Sequence, residues 1–309
     1  MQHTGRQGGE DLASTAGLLR QALDAVTDGL DSLIRTLPIK DNRWHEPGIV
    51  YVAPDYAWGD IAAGERAQQL SLKRSYDLVS ERLRLLVAGA PEELTRQLAD
   101  ADVAFRVWVE LDYSNWHLSP SSDSNVEALR ADAAAISRIL DIVERLGAGE
   151  TFAIPDTNSL LRAPDPVAYR DVLGQNEFTF TLLPTVLGEL DRLKIEHRNP
   201  DVRDKAKAVI GRIKGWRNQG TLSAGVKVDQ SITVRALHAE PDMNDTLSWL
   251  DPAVDDDRII AGVLAIQAEH PGARAVLITG DINLMNKSDA ALVETAEAPQ
   301  RARPADGAG

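Results

Sequence analysis

The sequence predicts an α/β protein in which a mainly α-helical N-terminal domain precedes a three-layer α/β/α domain with a parallel sheet. Apolar residues recur at helical spacing through residues 13–148. From residue 150 to about residue 295, short apolar runs alternate with helical patterns, and this order favours a parallel sheet covered by helices on both faces. A chain of 309 residues is also longer than expected for a protein with one modest hydrophobic core, which favours two domains.

The composition restricts the class of protein. The chain has no cysteine, which excludes disulfides and thiolate metal sites. It has no apolar run long enough to span a bilayer and no apolar stretch behind Met1, so we expect no membrane partner, no signal peptide and a cytoplasmic location. The net charge of −14 counts against a broad nucleic-acid-binding surface. It does not exclude a nuclease, because a site built from carboxylates is itself acidic.

The N-terminal domain is predicted from apolar stripes. Helical spacing covers residues 19–37, 72–86, 91–99 and 126–143. Residues 103–109 fit either a strand or a helix, residues 38–60 are expected to be irregular, and residues 1–12 are expected to be disordered. Most of the tryptophans at positions 44, 58, 108 and 116 are interpreted as buried packing rather than as platforms for stacked bases. These patterns indicate no catalytic role for the N-terminal domain.

The C-terminal domain is predicted from the alternation of elements. Strands are expected over residues 152–155, 178–183, 231–237 and 275–279. Helices are expected over residues 166–173, 185–196, 201–216 and 255–269. The segment 296–309 is rich in proline, alanine and arginine and is predicted to be a disordered tail.

Carboxylates follow these strands where a ligand would bind. Asp156 and Asp281 come directly after two strands, and Glu189 lies in the helix after another. Open parallel sheets bind ligands outside the carboxyl ends of their strands, so we expect these acids to converge. Grouped carboxylates repel one another unless cations neutralise them. Oxygen ligands without cysteine favour Mg²⁺ or Mn²⁺. Asn158 and Thr279 are expected to support the site.

A basic segment adjoins the acids. Its residues predicted to contact RNA are Arg192, Lys194, Arg198, Arg203 and Lys207. They either form a strip that follows phosphates or a solvated face that balances nearby acids, and the sequence leaves both interpretations open.

Four stretches together resemble a PIN domain, the metal-dependent ribonuclease fold. They are Asp156-Thr157-Asn158, residues 184–193, residues 256–260 and residues 279–284. The resemblance implies a Mg²⁺- or Mn²⁺-dependent ribonuclease that hydrolyses single-stranded RNA and leaves a 5′-phosphate. The implied catalytic and metal-binding acids are Asp156, Glu189, Asp256 and Asp281, supported by Asn158, Thr279 and Asn283. Asp257 remains a further metal-ligand candidate, because a one-residue slip in the alignment exchanges it with Asp256.

Each acid also has a purely local interpretation. Asp156 could cap a helix, Asp281 could stabilise a turn, and Glu189 could pair with Arg192. The run Asp255-Asp256-Asp257 could complement a helix dipole. The coincidence of all four favours a shared site.

The alternative function is a non-catalytic RNA-binding or scaffold protein with a PIN-like fold, whose helical domain binds a protein partner. A phosphatase with an aspartyl nucleophile is disfavoured, because Asn158 stands where such enzymes place a second aspartate. Homodimerisation is compatible with the fold, although no residue marks it.

Overall fold

A computed structural model describes residues 14–43, 54–111, 115–146 and 149–299. The disorder predicted for residues 1–12, the role of Trp44 and the last ten residues of the predicted tail lie outside these ranges. The described residues form two hydrophobic cores, one drawn from residues 16–143 and the other from residues 152–298. The predicted fold class, a helical N-terminal region followed by a mostly parallel α/β region, is confirmed.

The N-terminal half is mainly helical. Its elements are α1 (Thr15–Ile34), β1 (Ile39–Asp41), β2 (Tyr56–Trp58), α2 (Ala63–Leu86), α3 (Glu92–Glu110) and α4 (Ser122–Leu146). The strands β1 and β2 pair antiparallel inside a region predicted to be irregular. Helix α3 takes in residues 103–109, because Leu98, Phe105 and Trp108 continue one buried stripe at helical spacing. Among the described helices, none combines the length and the apolar character that crossing a membrane requires.

The tryptophans divide into two kinds. Trp58 and Trp108 are buried as predicted, and Trp108 Nε1 donates to Asp132 over 2.7 Å. Trp116 is 60% exposed, so it is not among the tryptophans that serve as buried packing. It lies in the irregular segment after α3, where no periodic pattern predicts which face is buried.

The C-terminal half is built on a six-stranded sheet of order β5-β6-β4-β3-β7-β8, in which only the β5–β6 pair is antiparallel. Its strands are β3 (Thr151–Pro155), β4 (Phe178–Leu182), β5 (Val226–Lys227), β6 (Ile232–Ala236), β7 (Arg274–Ile278) and β8 (Glu294–Ala296). Its helices are α5 (Thr157–Arg162), α6 (Arg170–Leu173), α7 (Pro184–Glu196), α8 (Pro200–Arg217), α9 (Asp255–Glu269) and α10 (Ile282–Ala290), with 3₁₀ turns at Pro166–Tyr169 and Met243–Asp245.

The central strands position the end of the sheet. Every residue of β3 and β7 is buried, as expected for strands covered on both faces. Their parallel register pairs Pro155 with Ile278, the last residue of each strand. The chain therefore leaves the sheet at Asp156 and Thr279 side by side.

Several short elements differ from the sequence predictions. The sequence did not predict α5, α10, β5 or β8, because none of them carries a long apolar stripe. Residues 296–299 belong to the segment predicted as a disordered tail, yet Ala296 ends β8 and Ala298 is buried in the core. Edge pairing with β7, rather than local composition, orders this stretch.

The two halves meet where α2 packs on α9. Arg82 of α2 is fully buried, and its Nη2 donates to Gln267 Oε1 of α9 over 2.5 Å. No carboxylate in the described ranges forms an ion pair with Arg82, and burial lowers its pKa to about 10. Leu78 and Leu85 of α2 pack against the C-terminal core. A buried cation and apolar side chains together attach the helical domain to α9.

The contact between Arg82 of α2 and Gln267 of α9 can be tested by double substitution. Arg82→Met alone should destabilise the protein by about 1–3 kcal/mol, because it leaves the buried Gln267 amide without its partner. Arg82→Met with Gln267→Leu should recover most of this loss, since apolar residues of similar volume often replace a buried polar pair without cost. Urea unfolding of the two single variants and the double variant measures the coupling. Additive effects would contradict the interaction.

Candidate metal-binding site

Asp156 leaves β3 and begins α5. Its Oδ1 accepts a hydrogen bond from the backbone N–H of Ser159 over 2.6 Å, so it caps the helix. Its Oδ2 accepts from Thr279 Oγ1 over 2.6 Å, and the residue is 4% exposed. The local interpretation as a cap is therefore correct, and it fixes the carboxylate rather than competing with a shared site.

Thr279 joins Asp156 to Asp281. Its hydroxyl donates to Asp156 and accepts from the backbone N–H of Asp281 over 3.0 Å. Asp281 in turn caps α10, where its Oδ1 accepts from Asn283 N–H over 2.8 Å. The two acids that follow β3 and β7 thus lie at one edge of the sheet, with a single buried hydroxyl between them.

Glu189 of α7 approaches the same edge through Thr157, whose hydroxyl donates to its carboxylate. Burial raises the pKa of Glu189; the bond from Thr157 opposes this, and the charge of Asp255 adds to it. Arg192 Nη2 lies 2.8 Å from Asp255 and 4.0 Å from Glu189. The hydrogen bond from Arg192 holds the pKa of Asp255 below its ordinary value. Asp255, which the sequence did not assign, is therefore an immediate neighbour of Glu189.

Asp256 and Asp257 have different environments in the structure. Asp257 is 5% exposed, and its two oxygens accept from Asp251 N–H over 2.9 Å and Lys287 Nζ over 2.6 Å. Asp256 is more exposed and lies 3.8 Å from the same ammonium. Burial raises the pKa of Asp256; Lys287 partly offsets this, and the charge of Asp281 adds to it. Asp257 thus anchors a loop and a lysine, whereas Asp256 faces the other acids.

Asn158 and Asn283, the two asparagines predicted to support the site, make different contributions to it. Asn158 is exposed and lines two cavities of about 440 and 420 Å³. Asn283 contributes its backbone N–H to Asp281. Lys287 is a residue that sequence reasoning missed, because it belongs to α10, which has no apolar stripe to predict it.

The donor set fits a hard divalent ion in its chemistry but is not a closed cage. Within the residues that the structure describes, no three of the acidic, histidine or cysteine side chains are grouped closely enough to hold an ion. The candidate acids nevertheless offer carboxylate oxygens as donors, the ligands that Mg²⁺ and Mn²⁺ prefer. Burial and mutual repulsion raise the pKa values of Glu189 and Asp256, and a bound cation would relieve both effects.

Three of the five predicted RNA-contacting residues form ion pairs, whereas Arg198 is exposed and has no ion pair in the described ranges. Arg192 pairs with Asp255, Lys194 with Asp191 and Lys207 with Asp204. The guanidinium of Arg203 donates to the backbone carbonyl oxygens of His197 and Arg198, over 2.6 and 3.2 Å. The sequence showed the density of basic residues but not this pairing. Their contact with RNA remains a prediction.

Comparison with known proteins identifies the C-terminal half. The family model described as a PIN domain matches residues 153–298. Residues 153–298 form a PIN domain. The match begins in β3, ends after β8 and contains every candidate acid. PIN domains are typically nucleases and generally use divalent metal ions. No curated protein matches the chain.

The hydroxyl of Thr279 can be tested with a matched control. Thr279→Val should cost about 1–3 kcal/mol of stability and weaken Mn²⁺ binding by about 10-fold, because Asp156 and the Asp281 N–H both lose a partner. Thr181→Val is the control, since the buried Thr181 hydroxyl of β4 has no partner in the described ranges and its loss should cost little. Urea unfolding and calorimetric Mn²⁺ titration measure the two effects. Equal behaviour of the two variants would contradict the bridging role.

The raised pKa of Asp256 predicts a stability that depends on pH. A raised folded-state pKa means that ionisation destabilises the fold, fully above that pKa and not below the ordinary value of 3.8. In EDTA at pH 7, Asp256→Asn should therefore raise Tm by about 1–3 °C, and the gain should vanish as the pH falls toward 4. Asp204→Asn is the control, because Lys207 lowers the pKa of this exposed acid. A lower Tm for Asp256→Asn at pH 7 would show that the carboxylate is not strained.

Proposed function

We propose that this protein is a Mg²⁺- or Mn²⁺-dependent ribonuclease that hydrolyses phosphodiester bonds of single-stranded RNA. The observation that carries the proposal is the position of the acids of the PIN domain. Asp156 and Asp281 leave neighbouring central strands and contact one hydroxyl, while Asp256 is close enough for the charge of Asp281 to raise its pKa. A PIN domain with this arrangement supports hydrolysis of a phosphodiester.

In this proposal Asp156, Glu189, Asp256 and Asp281 hold the ion. When bound, the ion would offset the negative charge of the phosphodiester and make a water more acidic. Thr279 orients the Asp156 carboxylate and binds the backbone N–H of Asp281, which reduces the reorganisation needed for ligation. Glu189 and Asp256 must lose their protons before they can act as ligands, so their raised pKa values set a lower pH limit for activity.

Two neighbouring acids have positioning roles in the proposal. Asp257 binds Lys287 and the backbone of Asp251, and this fixes the first turn of α9 that carries Asp256. Asp255 binds Arg192 beside Glu189. The proposal therefore counts Asp256, rather than Asp257, among the ligands, although both remain within the candidate set.

A non-catalytic scaffold is the second candidate function. It is favoured by the finding that no three ligating side chains of the described residues are grouped to hold an ion, and by the ammonium of Lys287 beside Asp256. Exposed apolar side chains on the helical half, among them Leu70, Val103 and Trp116, support a protein partner there. Calorimetric titration with Mn²⁺ separates the two functions, since a scaffold has no need to bind the ion. The predicted homodimer stays a prediction.

Neutralisation of single acids tests the ribonuclease. Asp156→Asn and Asp281→Asn should each lower RNA cleavage by at least about 100-fold while the protein still folds, because asparagine also caps a helix. Asp204→Asn, at an exposed acid paired with Lys207, should cleave like the unmodified protein. Cleavage of end-labelled RNA and DNA with Mn²⁺, and with EDTA, measures this. Full activity of Asp156→Asn would end the assignment.

A further inference from the structure

A cavity of about 440 Å³ lies beside the acidic edge, between α5 and α8. Its lining includes Asn158, Arg162, Lys205, Gly280 and Asp281. Arg162 is the last residue of α5, and Lys205 lies in the second turn of α8. The cavity therefore places two cations next to an acid of the candidate metal site.

These two cations, like Arg203, Lys214 and Arg217 of α8, have no acidic partner among the described residues. In the ranges that the structure describes, neither Arg162 nor Lys205 forms an ion pair with a carboxylate. On the same helix, by contrast, Lys207 lies 2.9 Å from Asp204 and Arg212 lies 3.3 Å from Asp165. Acidic residues outnumber basic ones by 47 to 33, so acidic partners are plentiful in this chain. Two unpaired cations at one cavity are consistent with a negative charge that comes from outside the protein.

The guanidinium of Arg162 lies close to the backbone that precedes Asp281. A β-carbon added at Gly280 would lie 3.8 Å from Arg162 Nη2, so the guanidinium lies over the backbone that leads into Asp281. A guanidinium binds a phosphate through two parallel hydrogen bonds, and an ammonium adds a point charge. Asn158 is exposed, lines both cavities at this edge and carries a side-chain amide that can donate hydrogen bonds. The cavity thus offers complementary donors for one phosphate.

We propose that Arg162 and Lys205 bind a backbone phosphate of single-stranded RNA adjacent to the phosphate that is cleaved. This inference rests on the proposed ribonuclease function and assigns its substrate contact. In this proposal the RNA strand passes over Asn158. Asn158 lines both this cavity and the neighbouring cavity, which Glu189 and Arg192 also line. The two positive charges compensate the repulsion between the phosphate and Asp281. The contact uses Arg162 of α5 and Lys205 of α8, neither of which is among the residues that the sequence predicts to contact RNA.

The test compares two double substitutions that change the net charge equally. Arg162→Gln with Lys205→Gln removes the unpaired cations, and Arg96→Gln with Arg212→Gln removes two exposed cations that are paired with Glu93 and Asp165. Binding of the full chain to a fluorescein-labelled single-stranded RNA is measured by anisotropy in EDTA over a range of salt concentrations. The first variant should bind about 10–100-fold more weakly, with a salt slope smaller by about 0.7–1.4. The second should change both quantities little.

The outcomes separate this contact from the ribonuclease function. Equal weakening in the two double variants, no weakening in the first, or no RNA binding by the unmodified protein would overturn the contact. Weakening confined to the first variant, together with no cleavage in Mn²⁺, would support the contact and reject the ribonuclease. Inorganic phosphate is titrated in parallel. Submillimolar phosphate binding that the first variant loses would assign the cavity to a free anion and overturn the RNA contact.

Discussion

The parallel pairing of β3 with β7 is the constraint on which the site depends. The register ends with Pro155 opposite Ile278, and the backbone N–H of Asp156 continues it by donating to the Ile278 carbonyl oxygen over 2.9 Å. Both strands are completely buried, so a slip of either would carry polar residues into the core. The hydroxyl that joins Asp156 to Asp281 is therefore positioned by the core of the sheet rather than by the loops around it.

The acids of the candidate site have two kinds of environment. Asp156 and Asp281 cap helices with one oxygen, and these bonds hold the carboxylates in place without neutralising them. Glu189 and Asp256 are held partly buried near other negative charges, which is unfavourable for an ionised carboxylate. Such strain is maintained only because the core and the caps stabilise the surrounding elements. These carboxylates are therefore arranged to be stabilised by a bound cation rather than by closer packing with one another.

Much of the fold could be predicted from the sequence, since long apolar stripes and strand-end acids are local patterns. Asp156 and Asp281 were assigned to one sheet edge because parallel strands present their carboxyl ends together. The short helices α5 and α10 have no stripe, so Arg162 and Lys287 could not be placed. Burial and hydrogen-bond partners distinguish Asp257 from Asp256, and ion pairing distinguishes Lys205 from Lys207; the sequence shows none of these.

The contact between Arg82 and Gln267 has a consequence for how this architecture can be inherited. A copy of residues 150–299 alone would expose Gln267 to water and uncover the apolar surface beneath Leu78 and Leu85. A copy of the helical half alone would leave an arginine at the centre of a newly exposed apolar face. The halves are therefore not interchangeable modules, and recombination that exchanges one of them must also supply a new surface for the other.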